Sequence, residues 1–180
     1  QEFPKRCGHL DNKRVISAED MVQKIRAAVE ARTDRDFLII IRTDALAVTG
    51  WDDTMERCKR YIEAGADALF VEALRTSEEA QRAVEGLPVP LLYNFVETGK
   101  SPLIPARELE QMGFKLVIFP ASALLTVTGV VGQLMRELKN KGTTAEMMAQ
   151  MVSLKDCFNL VGLSEMLSMD AGHLAAGGSE

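Results

Sequence analysis

At 180 residues, 47% hydrophobic and 26% charged, the chain has a globular composition that excludes wholesale disorder. Lys and Arg number 21 against 26 Asp and Glu, and the resulting net charge of −5 argues against nucleic acid or an anionic membrane as the main partner. No apolar run approaches the roughly 20 residues of a bilayer span, no leader-like stretch follows the polar N-terminus, and three widely spaced cysteines suit a reducing cytosol.

Ser17 has the side chain to cap a helix whose first turn holds Glu19 and Asp20. Its apolar face is Met21, Val22, Ile25, Ala28 and Val29. A β-rich run follows at 37–42. Residues 52–64 carry Met55, Cys58, Tyr61 and Ile62 on one stripe, stopped by Gly65. A second strand is predicted at 68–72, and Thr76 with Glu79 forms a capping box for a helix ending at Gly86. The third strand, 90–96, precedes a short helix with Pro105 at its first position and Gly113 at its end. The fourth, 115–120, leads into a long helix over about 121–141 that stops at Gly142. Thr143 and Glu146 then cap another helix bearing Met147, Met148 and Met151. From about Asp170 the Gly, Ala and Ser content predicts a frayed, flexible tail over 171–180.

Short buried runs alternating with helices are the pattern of parallel βα units. No Gly-rich nucleotide loop follows any strand, and polar residues close every one: Arg42 with Asp44, Glu72, Asn94 with Glu97, and Ser122. That favours a (β/α)8 TIM-type barrel over an open doubly wound sheet, because barrel strand ends converge on one mouth. Four strands are too few to close such a barrel, and the chain opens on Gln1 rather than Met. A fragment is expected.

Lys5-Arg6-Cys7-Gly8-His9 sets two cations and a histidine beside a thiol. That setting favours a lowered thiol pKa and suits a nucleophile or general acid, while Gly8 lets backbone approach a ligand closely. The plainer reading is a basic loop with an incidental cysteine. Arg42 either grips a carboxylate bidentately or forms a structural pair with Asp44. Glu72, a carboxylate after an apolar strand, needs a partner, either Arg42 or a substrate hydroxyl. Asn94 can donate to a substrate carboxylate, and Glu97 organises the Gly/Pro loop that runs to Pro102. Cys58 and Cys157 read as core residues and His173 as a solvated one. Two histidines without ligand spacing argue against a zinc site.

Pro4-Lys5-Arg6-Cys7-Gly8-His9, Arg42-Thr43-Asp44-Ala45, Gly65-Ala66-Asp67-Ala68-Leu69-Phe70-Val71-Glu72-Ala73 and Asn94-Phe95-Val96-Glu97 occur in this order, with Gly142-Thr143-Thr144 after them. Together they resemble the isocitrate lyase/phosphoenolpyruvate mutase superfamily, over nearly the whole chain up to about Gly162. The Cys7 loop is the specific element, since it marks the carbon–carbon lyase branch. The resemblance implies a (β/α)8 barrel of which residues 1–142 are the C-terminal part, about strands five to eight, beginning at the catalytic loop. It implies C-terminal helices over 143–170 that pack on or swap with a neighbouring subunit, in a cytoplasmic homotetramer. It also implies Mg2+ (or Mn2+) at the barrel mouth, held by aspartates upstream of Gln1, so no metal ligand is assigned within the chain.

The implied reaction is retro-aldol cleavage of a 2-hydroxy acid to an α-keto acid such as pyruvate and a second carboxylate. Cys7 is the general acid that protonates the departing carbanion. Arg6 and His9 tune it and, with Gly8, bind the leaving carboxylate; Arg42 holds the keto-acid end, Glu72 hydrogen-bonds behind it, and Asn94 meets the departing carboxylate. Methylisocitrate lyases carry Arg where this chain has Leu125 and Leu154, and tend to have Pro at Val71. These departures bring the chain closer to the dimethylmalate lyase and petal-death-protein branch, which acts on small 2-hydroxy dicarboxylates. Thr98 stands where that branch commonly has Gly. The alternatives are a non-catalytic barrel fragment serving as an assembly subunit, or an oxaloacetate hydrolase/decarboxylase-like relative, which Cys7 disfavours because hydrolysis needs no thiol acid.

Overall fold

The computed structural model describes residues 1–176, which alternate helix and parallel strand. Helix α1 (Ala18–Ala31) starts as its sequence dictates: Ser17 Oγ accepts the Asp20 N–H, and Glu19 and Asp20 occupy the positive end of the helix. Then come β1 (Ile40–Thr43), α2 (Trp51–Glu63), β2 (Ala68–Val71), α3 (Ser77–Gly86), β3 (Leu92–Asn94), α4 (Ala106–Met112), β4 (Leu116–Ile118) and α5 (Ser122–Lys141). A 3-10 segment (Ala145–Gln150), α6 (Leu154–Leu160) and α7 (Leu163–Ala176) complete the order. Residues 1–125 form one compact unit and residues from Thr126 onward another.

In the first unit, β1 pairs with β2, setting Arg42 opposite Phe70, and β3 pairs with β4, setting Asn94 opposite Ile118. A bridge between Leu69 and Leu91 joins the two pairs. All pairings are parallel, so the C-terminal strand ends share one edge. Every residue of β2 is buried, as in a strand covered on both faces. Leu69, Cys58, Leu109 and Ala80 lie at the centre of the core. Gly65 ends the α2 region with φ +106, and a Cβ there would meet Val29 at 2.8 Å. It turns the chain left-handed and lets α1 approach.

Several expectations are corrected. The strands are shorter than their apolar runs: Phe37 and Leu38 are exposed and precede β1, because a strand persists only where a neighbour's ladder runs beside it. Pro105 is the N-cap of α4, not its first helical residue. Thr76 Oγ1 accepts the Glu79 N–H as expected, but the Glu79 carboxylate reaches back to the Arg75 N–H. Thr143 Oγ1 accepts from the Ala145 N–H while Glu146 pairs with Lys141, so a 3-10 segment stands in place of a boxed helix. Cys157 is exposed rather than core, whereas Cys58 is fully buried and its thiol is pushed up to about 12 by burial. Helix α7 continues through Ala176, where composition predicts a tail from 171; the rest of that tail, 177–180, and the His173 side chain lie outside what is described. Among the described residues no helix is long and apolar enough to cross a membrane.

Leu69 is fully buried where the two strand pairs meet. In the full-length protein, Leu69→Ala should lower the unfolding free energy by about 2–5 kcal/mol in urea titrations, and Leu69→Met by less than about 1.5 kcal/mol.

Candidate active site

The polar residues at the strand ends surround a cavity of about 700 Å³. Seven of the residues singled out in the sequence for the site line it: Arg6, Cys7, Gly8, His9, Arg42, Glu72 and Asn94. Their arrangement follows from the register of the strands. Arg42 is the third residue of β1, Glu72 directly follows β2, and Asn94 ends β3, so the parallel pairing brings the three to one edge.

Glu72 is the hub. Its side chain is 1% exposed, and each oxygen is engaged. Oε2 meets Arg42 Nη2 at 2.8 Å and accepts from Asn94 Nδ2 at 3.3 Å. Oε1 accepts the Ala73 N–H at 2.9 Å and lies 3.3 Å from His9 Nε2, without the alignment of a hydrogen bond. A carboxylate this buried requires such partners, because burying an unpaired charge costs several kcal/mol. Of the two partners considered for Glu72, the structure supplies Arg42.

Arg42 also carries the structural pair. Its Nε and Nη2 donate to the two oxygens of Asp44 at 3.0 and 3.1 Å, and its guanidinium lies 4.9 Å over the Phe70 ring. Burial pushes the Arg42 pKa down, but Asp44 and Glu72 outweigh it and hold it above its ordinary value; the Cys7 sulfur contributes to the same field. Burial likewise pushes Asp44 up, while the Arg42 hydrogen bond and charge, with Lys13, hold it below the usual carboxylate range. Lys13 is buried, its Nζ 3.4 Å from Asp44 and donating to the Gly8 carbonyl. No sequence pattern marks Lys13, a lone lysine in an irregular loop.

The other expected residues are placed as follows. A Cβ on Gly8 would come within 2.6 Å of Glu72, so the close approach permitted by this glycine is to the Arg42–Glu72 pair. Cys7 is exposed at the cavity wall. Arg6 bonds through its backbone to the Gln1 side chain, which leaves its guanidinium outside those contacts. His9 Nδ1 accepts the Lys100 N–H at 2.8 Å, and its Nε2 faces Glu72. Asn94 Oδ1 is buried without a partner. Glu97 accepts from Ser122 Oγ, tying its loop to the start of α5.

Residues 5–139 match the family model described as phosphoenolpyruvate phosphomutase. The chain is 39% identical to 2,3-dimethylmalate lyase of Eubacterium barkeri, over 94% of this chain and 59% of that protein. It is 40% identical to 2-methylisocitrate lyase of Aeropyrum pernix, over 95% of this chain and 55% of that one. The structure of oxaloacetate acetylhydrolase in complex with 3,3-difluorooxalacetate superposes with a TM-score of 0.81 and 37% identity, over 97% of this chain and 58% of that one. The chain spans between a half and three fifths of the length of these proteins.

Asp44 supplies the pH test of the cluster. Its carboxyl is depressed in the folded state, so its contribution is complete above the unfolded value of about 3.9 and is lost as pH falls through the lower folded value. Asp44→Asn should destabilise the full-length protein by about 1–3 kcal/mol at pH 7. The difference from the unsubstituted protein should shrink in acid below the ordinary carboxylate range, as read by denaturant titration at each pH.

Proposed function

Because the chain belongs to the phosphoenolpyruvate mutase/isocitrate lyase superfamily, with its TIM-type α/β fold, we propose that it carries the acid side of a carbon–carbon lyase site. The substrate is a small 2-hydroxy dicarboxylate, and the products are an α-keto acid such as pyruvate and a second carboxylate. One observation carries this reading: the Cys7 thiol shares a cavity with a charged Arg42 and with Asn94.

The resemblance implies Mg2+, which would act as a Lewis acid on the keto-acid oxygens. The residues present do not fit it. Among the described residues no three His, Cys, Asp or Glu side chains gather, and Asp44 and Glu72 are already enclosed by Arg42, Lys13, His9 and Asn94. A metal ion therefore needs ligands other than these, and the roles given below to named residues belong to side chains of this chain.

Arg42, held in its charged form, binds the keto-acid carboxylate through its exposed edge, and Glu72 keeps that guanidinium in place. Asn94 has one amide hydrogen on Glu72 and offers the other to the departing carboxylate. The substrate hydroxyl loses its proton to a base, its oxygen becomes the ketone oxygen, and the electron pair of the breaking C–C bond passes to the departing fragment. Cys7 Sγ–H gives its proton to that carbanionic carbon, and the resulting thiolate regains one from solvent before the next turnover. Arg6, at the same cavity wall, adds positive charge beside the thiolate. Oligomeric assembly through the C-terminal helices and a cytoplasmic location follow from the same resemblance and belong to this proposal.

A second reading, hydrolysis of oxaloacetate, is favoured by the 37% identity to oxaloacetate acetylhydrolase. The two separate in one assay of the full-length protein against malate, 2,3-dimethylmalate, methylisocitrate and oxaloacetate. Keto-acid release from a 2-hydroxy dicarboxylate supports the lyase, oxalate from oxaloacetate supports the hydrolase, and no turnover with any supports a non-catalytic subunit. On the lyase reading, Cys7→Ser should lower kcat by about 10²–10⁴-fold. Unchanged turnover would refute the role of the thiol.

A further inference from the structure

The loop that presents Cys7 is joined to a second loop by contacts that reach 89 and 91 residues along the chain. The Lys100 N–H donates to His9 Nδ1 at 2.8 Å, and Lys100 Nζ lies 2.5 Å from Asp11 Oδ1. An accepting Nδ1 puts the proton of the neutral imidazole on Nε2, the atom that faces Glu72. Within the Cys7 loop, the Leu10 N–H donates to the Cys7 carbonyl at 3.0 Å, closing a turn over residues 7–10. Fixing His9 and Asp11 therefore fixes Cys7.

The second loop is shaped to receive His9. The Gly99 N–H donates to the Val96 carbonyl at 3.1 Å, and Thr98 takes the left-handed region at φ +62, rare for a β-branched residue. A Cβ on Gly99 would lie 2.7 Å from His9 Nδ1 and Cε1 and 3.0 Å from the Val96 carbonyl oxygen. Only glycine leaves room for the imidazole to reach the next N–H. The Lys100 ammonium also holds the exposed Asp11 carboxyl below its ordinary range.

We propose that the turn over residues 96–100 is a catch that holds the Cys7 loop across the cavity, with Lys100 as a positioning residue acting through His9 and Asp11. The proposal rests on the reading of Cys7 as the acid: a thiol that must meet a transient carbanion needs its backbone fixed, since a displacement of about 1 Å can cost about 10²-fold in rate. Lys100 is not among the residues that line the cavity, so its part is positional.

The test is amide hydrogen exchange of segments 7–11 and 94–102 in the full-length protein, with steady-state kinetics on the same samples. Gly99→Ala should accelerate exchange in both segments and lower kcat by about 10–100-fold, with KM changed by less than about threefold. Lys100→Ala should show a smaller effect of the same kind, and Lys100→Arg, which retains the pair with Asp11, should restore most of it. The Lys100 variants alter an outward-facing contact and decide the matter if Gly99→Ala does not fold. Unchanged exchange in both segments, or equal behaviour of Lys100→Ala and Lys100→Arg, overturns the catch. If the unsubstituted protein has no lyase turnover, the lyase reading fails alone, because the exchange measurement still reports on the catch.

Discussion

One buried carboxylate organises this site. Glu72 follows a strand buried on every residue and is itself almost inaccessible, so cations and N–H groups must close around its carboxylate. Arg42 comes from the neighbouring strand, Asn94 from the strand beyond, and His9 from the loop that carries the thiol. Each is held in place partly because Glu72 needs it. Gly8 has no side chain because one would displace this same pair. The electrostatic requirement of one buried charge thus fixes several groups around the cavity at once.

A second consequence concerns charge. Asp44 and Glu72 are matched by Arg42 and Lys13, so the polar cluster is close to neutral within itself. Arg6 stands on the same cavity wall, and among the described residues no carboxylate is paired with its guanidinium. On the proposed lyase reading, an incoming dicarboxylate would meet positive charge at the mouth and fixed hydrogen-bonding groups further in. Such preorganised polarity is worth more in a water-poor cavity than in solvent, because no dipoles have to reorient as charge moves.

Much of this was legible in the sequence because the responsible physics is local. Ser17 and Thr76 cap their helices through bonds three residues away, and a carboxylate following Ala68-Leu69-Phe70-Val71 announces a paired charge wherever it lands. The seven site residues sit at strand ends or in a loop with an unusual local composition, and all seven reach the cavity. What remained hidden depends on distant neighbours. Lys13 gains its meaning only from Asp44, and the contact of His9 with Lys100 spans 91 residues. Strand ends are set by where the adjacent ladder stops, which the apolar runs do not encode. Cys157 reads as a core residue from its apolar helical spacing, yet it is exposed, as is every residue of α6.

Thr98 joins the two kinds of information. The resemblance leads one to expect glycine at this position; in the structure Thr98 occupies the left-handed region that glycine would adopt without strain. The turn is adopted although the residue is unfavourable there, and it places Gly99 and the Lys100 N–H against His9. The central claim is that the Cys7 thiol faces the reacting carbon. The most direct measurement is a crystal structure of the full-length protein with bound pyruvate. The account predicts Sγ turned into the cavity, about 3–4 Å from the face of the ligand at which the second fragment departs. A sulfur directed into bulk solvent, away from the bound keto acid, would contradict it.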